Sequence, residues 1–341
     1  MDRTVLSGRF ISLCAALFYG LLAAAPATAA PIDRTVCVWD IAGNAGPTMA
    51  IMREWRIEAL SWGLNARLVV HTNEGIATEE LKAGQCDAAV VTDFRARPFN
   101  QYTGTINAIG AIPDFEHLRL VLQVLAHPQS ADKMTQGPYT VMGIAPAGGA
   151  YIFVNDRNIN TLAKAAGKKF AVLEHDPMQA QMVARMGATP VGSDVTNFSS
   201  RFNNGQVDII AAPLIVYNPL ELYRGLSPDG AIIDYPLLQV TLQMIGRADR
   251  FPAEIAQKSR DYFFRNYDQY VNILEREAEQ VDPRWMEPVP ESDRPEYEHT
   301  MLEGRVELRD QGHYDGEMLS LQRRVRCRID ASRGECTNPV E

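Results

Sequence analysis

Two arginines and an aspartate in one short segment are the side chains best suited to hold a charged ligand. Arg95 and Arg97 follow Asp93, just after an apolar run at residues 88–91. A guanidinium group binds a carboxylate or a phosphate through paired hydrogen bonds. An internal ion pair with Asp93 or another acid is the alternative. The segment therefore predicts an anion-binding loop, with a structural salt bridge as the competing interpretation.

Catalytic motifs are absent from the sequence. It contains no G-x-S-x-G, no H-E-x-x-H and no phosphate-binding glycine loop, and its six histidines are scattered. His175 beside Asp176 is the one pair that suggests acid–base chemistry. Adjacent loop residues rarely orient each other as base and partner, and the sequence indicates no nucleophile. We predict a binding protein without a cofactor, not an enzyme.

A glycine-containing loop joins the first predicted strand to the first predicted helix. It runs from Asp40 to Pro47 through Gly43, Asn44 and Gly46. Proline suits the first turn of a helix, where free backbone N–H groups can hold an anion. An ordinary tight loop is the alternative, because these glycines match neither a P-loop nor a dinucleotide fingerprint.

Alternating strands and helices must position these residues. Strand patterns occur at residues 35–39, 66–70, 88–91, 168–173, 189–191 and 207–211. Helical patterns occur at residues 48–62, 78–82, 178–186 and 197–204. Continuous apolar strands separated by helices predict parallel sheets covered on both faces. Because the pattern restarts in the second half, we predict two α/β lobes.

Ligands of such sheets bind beyond the carboxyl ends of the strands. In the first lobe this rule selects Trp39, Asp40, Asn44, Thr92, Asp93, Arg95 and Arg97. In the second lobe and the segment leading to it we select Gly148, Tyr151, His175, Asn197, Pro213 and Tyr217. The aromatic residues stack on a ligand or fill the core, and Gly148 permits close backbone approach.

Two long apolar segments without helices, at residues 139–155 and 231–247, are predicted to cross between the lobes as hinges. The first lobe then covers residues 31–140 with part of 231–341, and the second covers 141–230. Residues 231–341 supply a crossing strand and long C-terminal helices at 256–277 and 295–325. A solvated helical tail is the alternative for these helices.

The N-terminus has the pattern of a secretory signal peptide at residues 1–30. Arg3 and Arg9 precede an apolar stretch at residues 10–25, and Ala27-Thr28-Ala29 fits the cleavage rule. Cys14 lies inside the apolar stretch, which argues against lipoprotein processing. We predict a protein of the Gram-negative periplasm, with a cleaved leader and no lipid anchor.

Composition excludes two classes of partner. The net charge of −9 argues against a nucleic-acid partner, because a nucleic acid carries negative charge as well. Beyond the signal peptide no apolar stretch approaches the length of a membrane span. We therefore predict a protein that is not embedded in a membrane.

Four cysteines follow the signal peptide: Cys37, Cys86, Cys327 and Cys336. An even number in an oxidising compartment suggests two disulfides. Cys327 and Cys336 close a short polar loop, and neighbouring parallel strands would bring Cys37 and Cys86 together. Zinc is the alternative, but neither C-x-x-C nor paired-histidine spacing supports it. We predict two disulfides and no metal.

Several short motifs are distributed along the chain: Cys-Val-Trp-Asp at 37–40, Leu-Lys-Ala-Gly-Gln-Cys-Asp at 81–87, Arg-Ala-Arg-Pro-Phe-Asn at 95–100, the segment 153–169, Val-Thr-Asn at 195–197, Phe-Asn-Asn at 202–204 and Glu-Leu-Tyr-Arg-Gly-Leu at 221–226. They resemble one family of solute-binding proteins, some of whose members are labelled as efflux-associated proteins of the AdeT type. With the C-terminal cysteine pair, they cover nearly the whole mature chain.

The resemblance implies the type II periplasmic binding fold, as in receptors of TRAP transporters. Such receptors usually grip a substrate carboxylate with an arginine on a strand of the second lobe, but residues 169–174 contain none. Another arginine would have to replace it. The implied function is capture of a small organic solute, anionic if an arginine holds it, for inner-membrane transporter subunits. The alternative is an accessory protein of an efflux or sensory complex, with a cleft filled by side chains.

Overall fold

The structure is a computed structural model that describes residues 30–341. The predicted signal peptide and the cleavage motif before residue 30 lie outside the described residues. Ten strands are present in the described part: β1 Ile32–Trp39, β2 Leu64–His71, β3 Ala88–Thr92, β4 Thr135–Gln136, β5 Tyr139–Val154, β6 Lys169–Leu173, β7 Thr189–Ser193, β8 Ile209–Pro213, β9 Ala231–Arg247 and β10 Met286–Pro288.

The helices of the first half and the middle of the chain are α1 Pro47–Ser61, α2 Glu74–Lys82, α3 Asp93–Ala96, α4 Gln101–Gly104, α5 Phe115–Ala126, α6 Leu162–Ala165, α7 Pro177–Arg185, α8 Phe198–Asn203 and α9 Tyr223–Leu226. The C-terminal helices are α10 Ala253–Arg265, α11 Tyr267–Ala278, α12 Arg294–Asp310, α13 Gly316–Ile329 and α14 Gly334–Thr337.

The strands form one sheet in the order β2-β1-β3-β9-β5-β8-β6-β7, with β10 beside β9 and β4 beside β5. The first group, β2, β1 and β3, is parallel, and so is the second group, β8, β6 and β7. The long strands β5 and β9 run antiparallel to each other and join the two groups. The two predicted crossing segments are therefore these paired strands, and the predicted α/β class is confirmed.

Alternation along β1 explains how helices cover both faces of the first lobe. Val36 and Val38 are buried in the cluster that includes Trp55 of α1. Cys37, between them, is buried with α5 on the opposite face. The indole N–H of Trp55 donates to the hydroxyl oxygen of Ser259 at 2.9 Å, which ties α1 to α10.

The C-terminal helices are packed against the rest of the molecule, so the solvated-tail alternative is wrong. A Cβ on Gly143 of β5 would lie 2.0 Å from the ring of Phe263 in α10, and one on Gly304 of α12 would lie 2.6 Å from Met182 of α7. Arg326 of α13 is buried and donates to the carbonyl of Ala111 at 2.6 Å. These contacts place C-terminal helices on elements of both halves.

Two predicted C-terminal helices are each divided in the structure. The segment 256–277 is interrupted at Asn266, whose side-chain amide donates to the carbonyl of Tyr262 at 2.8 Å. The segment 295–325 is interrupted after α12, where Gly312 has a φ of 78°. A left-handed glycine commonly ends a helix, because it satisfies terminal carbonyl groups without a side-chain clash.

Both predicted disulfides are present. Cys37 pairs with Cys86 with their Cα atoms 5.9 Å apart, and Cys327 pairs with Cys336 at 5.6 Å. The first links β1 to the turn before β3, and the second closes the loop after α13. Within residues 30–341, no helix combines the length and the apolar character needed to cross a bilayer.

Candidate functional site

A cavity of about 660 Å³ lies between the two strand groups. Both groups and the crossing strands line it, with side chains that include Phe94, Ile152, Val172, Leu238, Val240 and Tyr314. Most lining residues are aliphatic or aromatic. Among the described lining residues, the charged ones are Asp40, Arg97, Asp176 and Glu277. A cavity of this size and character can enclose a small molecule with a substantial apolar part.

The helix-start loop after β1 is organised by its own carboxylate. Asp40 is buried and accepts hydrogen bonds from the backbone N–H groups of Ala42 at 2.9 Å and Met49 at 3.0 Å. A Cβ on Gly46 would lie 1.7 Å from Asp40, so only glycine allows this approach. The tight-loop interpretation describes this segment, because Asp40 occupies the position that a bound anion would take. Asn44 lies outside the cavity lining and binds Arg53.

Arg97 joins the two halves of the molecule across the cavity. Its Nε donates to the carbonyl of Gly104 at 3.0 Å, and one terminal nitrogen donates to Asn107 at 2.6 Å. The other lies 3.5 Å from the carboxylate of Asp176, which caps α7. Burial raises the pKa of Asp176, and the charge of Arg97 opposes that rise. The guanidinium group therefore binds internal partners, which agrees with the salt-bridge alternative. Its acidic partner is Asp176 and not Asp93.

Asp93 lies behind the cavity wall and makes only internal hydrogen bonds. It is fully buried and accepts from the backbone N–H of Thr241 at 2.7 Å, from the hydroxyl of Thr241 at 2.9 Å and from the amide of Asn107 at 2.9 Å. Burial raises the pKa of Asp93 to about 6. Its geometry holds the end of β3 against β9.

Arg95 and His175 meet around a residue that the sequence analysis did not select, Glu74. Glu74 is fully buried, and its Oε2 accepts from the hydroxyl of Thr92 at 2.9 Å and the backbone N–H of Thr92 at 3.2 Å. Its Oε1 lies 3.7 Å from Nε of Arg95 and 4.0 Å from Nε2 of His175. We call Glu74, Arg95 and His175 the polar triad.

Burial dominates the electrostatics of the polar triad. It raises the pKa of Glu74 to about 7, although Thr92 and Arg95 favour the anion. Burial, followed by the charges of Arg95 and Arg97, lowers the pKa of His175 to about 4. At neutral pH His175 is therefore an uncharged imidazole with one donor and one acceptor, and Glu74 is close to its titration midpoint.

The other predicted site residues divide between the cavity wall and the core. Trp39, Thr92 and Pro213 line the cavity, and the indole N–H of Trp39 donates to the carbonyl of Thr72 at 3.2 Å. Tyr217 is buried in a core cluster, with Tyr151 packed at its edge. Gly148 has a φ of 102° in β5, and Asn197 precedes α8 and accepts from the backbone N–H of Asp194 at 3.0 Å. These four lie outside the lining.

Glu74 was missed because the helix containing it was predicted to start too late. The apolar pattern placed a helix at residues 78–82, whereas α2 begins at Glu74 itself. Asn73 caps it by accepting from the backbone N–H of Gly75 at 2.8 Å. An asparagine followed by an acidic residue is a helix-start signal, and it was available in the sequence.

Comparison with known sequences identifies the family of this chain. The family model "Solute-binding protein AdeT 1/2" matches residues 29–341. "Probable solute-binding protein AdeT1" of Acinetobacter baumannii is 37% identical over 299 residues, which is 88% of this chain and 98% of the relative. "Probable solute-binding protein AdeT2" of the same organism is 27% identical over 233 residues, 68% of this chain and 98% of the relative.

Solved structures with the same fold include TRAP periplasmic solute-binding proteins. One from Desulfovibrio salexigens, with bound orotic acid, has a TM-score of 0.71 at 14% identity and covers 87% of this chain and 99% of its own. One from Ralstonia eutropha, with bound (S)-2-acetolactate, has a TM-score of 0.69 at 14% identity and covers 86% and 98%. The predicted two-lobed type II periplasmic binding fold is confirmed, and the chain belongs to the AdeT 1/2 family of solute-binding proteins.

Proposed function

We propose that this protein is a periplasmic receptor that captures a small organic solute between its two lobes and delivers it to an inner-membrane transporter. The observation that carries the proposal is the cavity of about 660 Å³, with walls from both strand groups. A cavity between lobes that are joined by two crossing strands can open to admit a solute and close around it. The signal-peptide pattern at residues 1–30 supports the periplasmic location.

The lobes that we propose are residues 31–140 with part of 231–341, and residues 141–230. The crossing strands β5 and β9 supply the hinge. Their pairing shifts register at three places, between Val141 and Gly143, between Pro146 and Gly148, and between Ala150 and Ile152. Bulges of this kind interrupt the hydrogen-bond ladder and bend a strand. Opening at this hinge would separate Arg97 from Asp176.

The accessory-protein alternative receives less support from the geometry. It predicts a cleft filled by side chains, and this chain has a cavity instead. The structural relatives described above hold orotic acid and acetolactate, which supports a solute here as well. We also propose binding without catalysis and without a cofactor, because the polar triad and the lining contain no serine or cysteine placed beside a base.

A thermal-shift and calorimetric screen of the exported chain tests this function. The protein is unfolded and refolded to remove any carried solute, then exposed to organic acids, amino acids, amides, sugars, polyamines and aminoglycosides. A solute that binds only the native state raises the melting temperature saturably. If no solute of the panel raises the melting temperature of protein that circular dichroism shows to be folded, the accessory role is favoured.

A cavity-filling variant assigns any binding to the cavity. Ala147 lines it and is half-buried, so Ala147→Trp should abolish binding of a solute found in the screen. Ala163→Trp is the matched control, since Ala163 is exposed and outside the lining. If the two variants bind equally well, the solute occupies another site.

A further inference from the structure

The polar triad contains four buried polar atoms without hydrogen-bond partners in the described part of the chain. They are Oε1 of Glu74, Nε of Arg95, and Nδ1 and Nε2 of His175. Buried polar atoms in native proteins are nearly always paired. Oε1 of Glu74 lies 3.7 Å from Nε of Arg95 and 4.0 Å from Nε2 of His175, so a single missing group near these three atoms can satisfy several of them at once.

This region lies behind the cavity wall, because none of its three residues is among the described lining residues. Glu74 accepts from Thr92, which lines the cavity, Arg95 follows the lining residue Phe94, and His175 precedes the lining residue Asp176. A head group on a body that lies in the cavity therefore reaches the triad when the lobes open, and closure then buries it. Closing the lobes would bring His175 towards Glu74 and Arg95, which the first lobe supplies from α2 and α3.

The charges of the triad favour a neutral group. The anion of Glu74 and the cation of Arg95 lie 3.7 Å apart and offset each other. Arg97, the one cation among the described lining residues, is already bound to Asp176. The negative charge of Asp93 raises the pKa of Glu74, and that of Asp194 raises the pKa of His175, so both carboxylates add negative charge near the triad. A carboxylate would find no uncompensated positive charge here.

The hydrogen-bonding atoms of the triad are complementary to a ligand group that carries a donor and an acceptor on neighbouring atoms. Arg95 offers an N–H, Glu74 an acceptor oxygen, and His175 one of each. Resting on the proposed receptor function, we infer that the solute carries a carboxamide-type head group (primary amide, lactam or ureide) held by Glu74, Arg95 and His175. The carbonyl oxygen accepts from Nε of Arg95, and the amide N–H donates to Oε1 of Glu74.

The rest of this solute is apolar, because the remaining cavity wall is. Ile152, Val172 and Leu238 line the part reached from both lobes. Three of the four charged lining residues have internal partners: Asp40 caps its own loop, and Arg97 and Asp176 bind each other. Glu277 and the hydroxyl of Tyr270, which has no hydrogen-bond partner among the described residues, add two further polar groups to the wall. These few groups do not compensate a highly hydroxylated molecule for the loss of its hydration.

The test uses two probes with one skeleton, 4-phenylbutanamide and 4-phenylbutyrate, titrated calorimetrically into the refolded exported chain at pH 8. We expect the amide to bind at least ~10-fold more tightly, since one lost charge-compensated hydrogen bond changes affinity on this scale. Tighter binding of the carboxylate, or binding of neither probe, overturns the carboxamide assignment.

Glu74→Gln supplies the decisive variant. Glutamine keeps the hydrogen bonds to Thr92 but leaves Arg95 uncompensated, so the preference should shift at least ~10-fold towards the carboxylate. Arg95→Gln should weaken both probes. Arg119→Gln, an exposed arginine paired with Asp268, is the control that should change neither. An unaltered preference in Glu74→Gln contradicts the assignment.

A measurement on the unmodified protein covers the case in which Glu74→Gln fails to fold. Glu74 has a pKa of about 7, so protonation below that pH removes its acceptor and frees the charge of Arg95. Amide affinity should fall and carboxylate affinity should rise between pH 8 and pH 6. Asp93, with a pKa of about 6, faces the same region, and Asp93→Asn should retain this trend. A flat profile overturns the assignment.

The failure of this inference can be told apart from failure of the receptor function. Another solute of the screen could bind, lose its binding in Ala147→Trp and keep its affinity in Glu74→Gln and Arg95→Gln. The receptor function would then be supported, and the triad would have no part in recognition. If no solute binds to folded protein, the receptor function itself fails.

Discussion

Two polar contacts join residues 74–97 to residues 175–176, and they differ in how completely their hydrogen bonds are formed. Arg97 reaches Asp176 and also donates to Gly104 and Asn107. Glu74 and His175 approach across the same gap, but only to 4.0 Å, and four atoms of the polar triad lack partners within residues 30–341.

The difference separates a structural contact from a recognition site. A buried charge is tolerated when it is paired and hydrogen-bonded, and is costly when it is not. The Arg97–Asp176 contact meets that condition within the protein, so it stabilises the closed arrangement by itself. The polar triad meets it only with an added group, so we propose that its stability depends on the solute. Opposite responses to mutation should follow.

Breaking the complete contact has the largest expected effect. Arg97→Ala leaves Asp176 and Asn107 without their buried partner, and we expect a loss of about 3 kcal/mol in the free energy of unfolding. Urea denaturation followed by circular dichroism measures it. Adding Asp176→Leu should recover part of the loss, because an apolar pair leaves no buried charge. A loss below about 1 kcal/mol would show that the contact behaves like an exposed ion pair.

Breaking the incomplete contact should stabilise the protein at high pH. Burial raises the pKa of Glu74 from 4.5 to about 7, so the folded state binds the proton more tightly and loses stability as the pH rises through this window. Glu74→Gln removes that loss. We expect it to gain about 2 kcal/mol at pH 8 and little at pH 4.5, measured by urea denaturation without solute.

Glu79→Gln is the matched control for this change. Glu79 lies in the same helix, is exposed and pairs with Lys82 at 2.8 Å. Its replacement should leave the free energy of unfolding nearly unchanged, because solvent screens an exposed ion pair. Destabilisation by Glu74→Gln at pH 8 would mean that the triad is already satisfied without a solute, and the contrast between the two contacts would disappear.

His175 should destabilise the folded protein at acidic pH. Burial lowers the pKa of His175 from 6.5 to about 4, so the unfolded chain binds a proton at a higher pH than the folded chain does. The free energy of unfolding therefore decreases as the pH is lowered from 6.5 towards 4. His175→Gln should be more stable than the unmodified protein by about 1 kcal/mol at pH 4.5 and equal to it at pH 8. His299→Gln, at an exposed histidine paired with Glu303, should show no such difference.

The fold was predictable from the sequence because its signals are local. Periodicity and length predict the apolar strands β1, β3 and β6 and the two long strands β5 and β9. Neighbouring strands predicted the Cys37–Cys86 pair, and a short polar loop predicted the Cys327–Cys336 pair. The helix break at Asn266 was missed because the apolar pattern continues through that position, and the break at Gly312 was missed although glycine is a helix-stop signal.

The site was predictable only in part, because it depends on which groups are already paired. The strand-end rule selected Arg95, Arg97 and His175, which the structure places near one another, but sequence alone cannot assign Asp176 to Arg97 instead of a ligand. That pairing arises when loops more than 70 residues apart meet across the cleft. Glu74 was missed because its helix was predicted to start at residue 78, and its raised pKa and unpartnered oxygen arise only from burial in the folded chain.

The smallest expected change in the free energy of unfolding comes from replacing Arg95, and it allows a direct comparison with Arg97. Arg95 is one-quarter exposed and its Nε makes no hydrogen bond, so Arg95→Met should change the free energy of unfolding by less than ~0.5 kcal/mol at pH 6. Arg97, two residues along the same loop, should cost several times more. Methionine retains the apolar stem of Arg95 and removes only the charge. A loss as large as that of Arg97→Ala would show that both arginines are structural, and the triad would no longer qualify as a place for the solute.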